Sequence, residues 1–292
     1  MTLAIPGIVR IEQDTHGLDR LLVTNAFATA EIYLLGGQVT RFQPAGQEPV
    51  LWLSPLSSFA AGKAIRGGVP ICWPWFGPHP SKPDLPAHGF ARTREWRGLD
   101  AAQLSDGRTR VRLVLTENEF TLAAWPHSFR LVLSVSVGAA LELELTATNT
   151  GPTPLSYTDA LHTYLKVSGI DETTVEGLDG AGFLHSTRHY RGVQKGPVTF
   201  DGEVNNIHVP SLGAAAVLDR AMNRRIDVAK SGSLATVVWN PGESGGSAMK
   251  DVGPHWKEFV CVEAANCADA QIVLLPGTSH TTAQAIRAAA RS

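Results

Sequence analysis

The run Leu141-Glu142-Leu143-Glu144-Leu145-Thr146 alternates apolar and polar residues without a break. A side-chain period of two belongs to a strand, so this segment needs one face in a core and the other in water. Shorter β-favouring runs recur at residues 21–24, 111–115, 131–137, 236–239, 259–262 and 272–275. Turn pairs punctuate them: Gly36-Gly37, Asp106-Gly107, Gly151-Pro152, Asp201-Gly202 and Pro276-Gly277. With 28 glycines and 18 prolines spread along the chain, long helices have little room. Residues 214–222 and 283–290 stay open, being alanine-rich enough for helix yet compatible with a strand in a large sheet. No repeat, low-complexity tract or linker interrupts the pattern. It predicts an all-β chain, a large antiparallel β-sandwich, with residues 1–292 forming one domain.

Composition narrows the partners. Hydrophobic residues make up 43% of the chain, enough for one large core. No stretch approaches the roughly 18 consecutive apolar residues of a membrane span. The first residues, MTLAIPGIVRIEQDTHG, lack the basic start and apolar centre of a signal peptide. Cys72, Cys261 and Cys267 are odd in number and sit among apolar or small residues, which points to reduced thiols in a cytoplasmic protein. A net charge of -2 argues against nucleic acid, whose phosphates favour a strongly basic face. Any anion site must be a local pocket.

One segment has the makings of such a pocket. Between Ala64 and Trp96, Arg66-Gly67-Gly68 and His88-Gly89-Phe90-Ala91-Arg92 flank the run Cys72-Trp73-Pro74-Trp75-Phe76. Glycine pairs let a backbone approach a ligand, and arginine recognises phosphate or carboxylate with a planar fork of donors. The aromatic run offers a face to a sugar ring, although core filling accounts more simply for at least one tryptophan. His88, taken alone, reads as a loop histidine bonded to backbone.

Two further groups lie far downstream. In Tyr157-Thr158-Asp159-Ala160-Leu161-His162-Thr163-Tyr164-Leu165-Lys166-Val167, His162, Tyr164 and Lys166 share one strand face. That face is either solvated, the simpler reading for an isolated histidine, or the floor of a cleft. Glu263 shares its face with Phe259 and Cys261 and so points inward, as a buried carboxylate with a raised pKa, or else emerges at a strand end. His185 and His189 stand four apart, but the glycines around them argue against a helix that could present them to a metal. There is no phosphate-cradling loop, nucleophile elbow or dinucleotide fingerprint.

Taken together, the motifs are no longer generic. Lys63-Ala64-Ile65-Arg66-Gly67-Gly68-Val69-Pro70, Cys72-Trp73-Pro74-Trp75-Phe76-Gly77, His88-Gly89-Phe90-Ala91-Arg92, Thr158-Asp159-Ala160-Leu161-His162-Thr163-Tyr164, Val238-Trp239-Asn240-Pro241 and Lys257-Glu258-Phe259-Val260-Cys261-Val262-Glu263-Ala264 occur in that order. The set resembles the D-hexose-6-phosphate mutarotases, or glucose-6-phosphate 1-epimerases, of the aldose 1-epimerase superfamily. The resemblance implies a galactose mutarotase-like sandwich with the sugar on an open concave sheet face. It implies that His162 protonates the ring oxygen and that Glu263 takes the anomeric hydroxyl proton. Ring opening, rotation about C1–C2 and reclosure then exchange α and β anomers, with no metal or organic cofactor. Arg66 and Arg92 match substrate-binding arginines, the 6-phosphate being their target, and His88 matches a second sugar-contacting histidine. The implied partner is a small-molecule sugar phosphate, bound by a monomer without nucleic acid or membrane.

Two departures bear on substrate choice. Ala87 stands where the family usually has glutamine. Glu203-Val204-Asn205-Asn206 stands where it tends to show Glu-Thr-Asp-Arg, leaving Asn205 as an uncharged substrate-binding position. The alternatives are a mutarotase for an unphosphorylated aldose and a non-catalytic carbohydrate-binding or sensing module on the same fold.

Overall fold

Two eight-stranded sheets pack face to face across the main core in a computed structural model that describes residues 3–290. The outer sheet runs, in spatial order, through Thr173–Glu176, Ala215–Asp219, Arg224–Ser231, Ser279–Ala290, Leu141–Asn149, Phe129–Val137, Thr109–Thr116 and Arg97–Gln103. The inner sheet runs through Tyr190–Val193, Gly182–His185, Val204–His208, Ala235–Asn240, Phe259–Asn266, Asp159–Leu161 and Ile71–Cys72, with Tyr164–Lys166 also paired to Phe259–Asn266. All these pairings are antiparallel, as the sequence pattern predicts. A four-stranded sheet from Val9–Gln13 to Gln38–Pro44 and a two-stranded ribbon complete the strands. Among the described residues, no helix is long and apolar enough to cross a membrane.

The alternation at Leu141 does what its period requires. Leu141, Leu143, Leu145 and Ala147 enter the core between the sheets, while Glu142 and Glu144 face outward. Both alanine-rich segments that propensity left open are strands: Ala215–Asp219 and the twelve-residue Ser279–Ala290. The second is hard to read because two of its inward residues are polar. Thr282 and Gln284 are buried, and they bond to the inner sheet instead of merely filling space. Gln284 Nε2 donates to the Val262 carbonyl at 2.9 Å, and its Oε1 accepts from the Thr163 hydroxyl.

Thr282 reaches a buried carboxylate. Its hydroxyl donates to Asp159 Oδ2 at 2.7 Å, and Asn266 Nδ2 donates to Asp159 Oδ1 at 3.0 Å. Burial, opposed by these two bonds, moves the Asp159 pKa up to about 6. With the folded pKa above the unfolded one, the group's contribution to stability is complete below the ordinary carboxylate pKa and is lost as pH rises through 6. The loss is on the order of 3 kcal/mol. Asp159→Asn should therefore flatten the decline in melting temperature between pH 4 and pH 7 relative to the parent chain. Parallel melting curves for the two proteins across that range would refute this assignment.

Candidate active site

The strand Phe259–Asn266 is buried on both faces. Val260 and Val262 point into the core between the sheets. Phe259 and Cys261 turn the other way, into an aromatic cluster with Trp52 and Tyr164. Glu263 follows the same alternation to that second face and is 1% exposed. The strand-end reading is thus excluded; the inward reading holds, though the face is not that of the main core.

Register explains why a histidine meets this carboxylate. Leu161 lies opposite Ala264, and Tyr164 lies opposite Cys261. The same register carried through the break between these strands puts His162 across from Glu263, as a cross-strand neighbour. His162 Nδ1 lies 3.4 Å from Glu263 Oε1. At the break the Thr163 N–H donates back to the Leu161 carbonyl at 2.9 Å, while the His162 N–H continues the pairing beside Ile71–Cys72 through the Pro70 carbonyl at 3.0 Å. The histidine's face is not solvated: His162 is 6% exposed and Tyr164 1%. Its ring stacks on Tyr164 at 4.9 Å and meets Trp239 and His88 edgewise, each at 5.7 Å.

Neither member of the pair is satisfied by the protein. His162 Nδ1 and Glu263 Oε2 are both sealed from solvent without a hydrogen-bond partner. Burial, followed by the electrostatic influence of His88 and the positive charges of Arg92 and Arg66, holds His162 well below the usual imidazole pKa. Burial pushes Glu263 well above the usual carboxylate range, with Arg92 opposing it. The favoured resting form is a neutral imidazole beside a neutral carboxylic acid.

The glycine loops act differently from the expectation drawn for them. A Cβ on Gly67 would lie 2.5 Å from the Trp52 carbonyl, and one on Gly68 2.2 Å from that of Val39. Both residues have φ in the left-handed region. They are needed for close backbone packing against neighbouring segments, not for a ligand's approach. What this packing achieves is to hold Arg66 at the cleft. Its Nε donates to Asp251 at 2.9 Å and its Nη1 to the Tyr164 hydroxyl at 2.9 Å. Gly89 is constrained in the same way, its Cβ position falling 2.0 Å from the Trp73 carbonyl. His88 itself has φ 65 and accepts the Gly77 N–H at Nδ1 over 3.3 Å. Burial, Arg92 and Arg66 push its pKa down to about 3, so the neutral ring keeps its proton on Nε2, a donor.

Arg92 sits in the short 3₁₀ turn Ala91–Thr93 and donates from Nη2 to the Ala87 carbonyl at 2.9 Å. Among the described residues it has no carboxylate within ion-pair distance. Asn205 donates from Nδ2 to the Thr187 hydroxyl at 2.9 Å, which in turn donates to Glu203.

Arg66, His88, Arg92, His162, Asn205 and Glu263 all line one cleft of about 390 Å³. Phe76 and Trp239 add aromatic walls to it. In the run Cys72-Trp73-Pro74-Trp75-Phe76, both tryptophans are core residues, and Phe76 lines the cleft. Tyr164 and Asp251 were not anticipated. Tyr164 had a signal, since it shares the His162 face at period two; Asp251 had none, lying 185 residues from its partner. His185 ends a strand and His189 follows in a turn, so the pair does not share a helix. All three cysteines are free and buried.

Similarity to known proteins agrees with this arrangement. The chain matches the family described as "Aldose 1-epimerase" over residues 19–287. It is 37% identical over 277 residues to an Escherichia coli K12 protein named "Putative glucose-6-phosphate 1-epimerase", covering 94% of this chain and 92% of that one. A Cenchrus ciliaris protein of the same name is 38% identical over 273 residues, covering 89% and 82%. The crystal structure of "a putative mutarotase (YeaD)" from Salmonella typhimurium superposes with a TM-score of 0.92 at 33% identity, covering 99% of this chain and 96% of that one. On the extent of these matches, and with the strand order and cleft described above, the chain belongs to the aldose 1-epimerase family.

Proposed function

We propose that this protein interconverts the α and β anomers of a hexose 6-phosphate, glucose 6-phosphate foremost, by acid/base ring opening and reclosure. The observation that carries the reading is the sealed, cross-strand His162–Glu263 pair in a cleft that also holds two arginines.

The pair holds one mobile proton in either of two forms, imidazolium with carboxylate or imidazole with carboxylic acid. In the first form, His162 gives a proton to the ring oxygen while Glu263 takes one from the anomeric hydroxyl. The C1–O5 bond breaks and C1 becomes an aldehyde, leaving the second form on the enzyme. Rotation about C1–C2 presents the other carbonyl face. Reclosure returns both protons along the same path and restores the first form. Burial favours the neutral form, which is the form that accompanies the open chain. The site therefore offsets part of the cost of ring opening by relieving a buried charge separation. In this reading His88 Nε2 and Asn205 hold hydroxyls, and Phe76 and Trp239, which line the same cleft, cover the ring's apolar faces.

Exchange between anomers, followed by magnetisation-transfer NMR on glucose 6-phosphate with and without protein, tests the proposal. No acceleration at equilibrium would overturn it. The pH profile carries a second test. Activity needs a pair holding one proton, so it falls on the acid side with the lowered His162 pKa and on the alkaline side with the raised Glu263 pKa. The expected kcat profile has its acid limb well below the ordinary imidazole pKa and its alkaline limb well above the ordinary carboxylate pKa. An acid limb at the ordinary imidazole pKa, or an alkaline limb at the ordinary carboxylate pKa, would contradict these shifts.

A further inference from the structure

One side chain beside the pair takes no part in the proposed chemistry. Cys261 lies two residues before Glu263, on the same strand face, opposite both Tyr164 and Trp239. Its thiol is fully buried. A ring nitrogen of His162, Cys261 Sγ and a carboxylate oxygen of Glu263 all lie within 4.8 Å of one another. Two of those residues also present a sealed polar atom with no partner, Nδ1 and Oε2.

Histidine, cysteine and glutamate are the three ligand types of zinc sites. Ligands about 2.0–2.3 Å from a tetrahedral ion lie roughly 3.3–3.8 Å from one another. The 3.4 Å between His162 Nδ1 and Glu263 Oε1 is already such an edge. The three donors lie within 4.8 Å of one another, at most about 1 Å beyond the longest of those edges, so side-chain adjustments of that size close the set. Arg66 and Arg92 oppose any cation here, so an ion held only by oxygen, such as magnesium or calcium, has too little to offset that repulsion. Binding releases the Cys261 thiol proton and the Glu263 carboxyl proton to solvent, and the resulting thiolate bond supplies the difference for a softer metal.

We propose that His162, Cys261 and Glu263 form an inhibitory site for a thiophilic divalent cation of the zinc and cadmium class. The bound ion occupies the imidazole lone pair and the carboxylate together, so it removes acid and base at once. Inhibition rests on the reading of His162 and Glu263 as the acid/base pair; the binding site itself does not.

The test is a titration of chelator-treated protein with cadmium chloride, reading the ultraviolet thiolate-to-cadmium absorption and the anomer exchange rate in parallel. The expected result is a band that saturates at one ion per chain, loss of exchange in step with it, and recovery on adding EDTA. Magnesium chloride should do neither. Cys261→Ala should keep the metal-free exchange rate, lose the band, and weaken inhibition at least roughly tenfold, the lower end of the cost of losing even an outer partner of a ligand. Cys261→Ser gives the same reading with a closer side-chain volume, should the alanine variant fold poorly. Cys72→Ala and Cys267→Ala should keep both band and inhibition. The proposal is overturned if Cys261→Ser is inhibited as strongly as the parent, or if the band follows Cys72 or Cys267. Absence of exchange in the metal-free parent, with the band still lost in Cys261→Ser, would count against the mutarotase reading and leave the metal site standing.

Discussion

Glu263→Gln is expected to lower kcat for anomer exchange by about 10²–10⁴-fold, the range for a positioned acid or base, with little change in KM. The glutamine keeps the volume and the strand position but cannot accept the anomeric proton. It also removes a buried carboxyl whose ionisation is disfavoured, so stability near neutral pH should not fall. His162→Ala should cost a similar factor for the ring-oxygen proton. The informative variant is the double one. If the two groups share one mobile proton, losing either leaves the other with nothing to exchange, and the double variant should be about as slow as the slower single one. Saturation-transfer rates on the three variants measure this directly. Multiplying effects would mean two groups acting independently, and the 3.4 Å coupling would then have no catalytic meaning.

The strands were legible in the sequence because their period is local. Leu141 to Thr146 alternates on its own, whatever it packs against. Ser279–Ala290 resisted reading because Thr282 and Gln284 point inward to bond the other sheet, and two of their partners, Asp159 and Thr163, lie more than a hundred residues away. The site follows the same logic. His162 and Glu263 were each ambiguous alone, since a period-two pattern fixes which residues share a face but not whether water covers it. The long-range register between their strands resolved both at once. Family resemblance supplied the pairing in advance; composition and spacing did not. The glycine loops show the reverse case. Their positive φ was readable in kind, but their purpose was assigned to a ligand when it belongs to the backbones of Trp52, Val39 and Trp73. Asp251 was invisible because a lone aspartate between Lys250 and Val252 carries no pattern.

That hidden aspartate divides the two arginines. Arg66 already spends its guanidinium on Asp251 and Tyr164, whereas Arg92 donates one bond to a carbonyl and has no carboxylate nearby. Arg92 is thus the cleft's less compensated cation, and we expect it to carry more of the recognition of a 6-phosphate. Charge-assisted hydrogen bonds contribute about 1.5–3 kcal/mol each, so Arg92→Ala should raise KM for glucose 6-phosphate by roughly 10–100-fold. The rate on free glucose should change far less, because no phosphate is there to lose. Arg66→Ala should raise KM by a smaller factor and lower the melting temperature as well, since it leaves the buried Tyr164 hydroxyl without its donor. Arg92 also lowers the pKa of both His162 and Glu263, so its removal should move both limbs of the pH profile to higher pH. Equal losses on glucose and glucose 6-phosphate would instead mean that the arginine positions the ring, and the unphosphorylated aldose would become the better reading of this cleft.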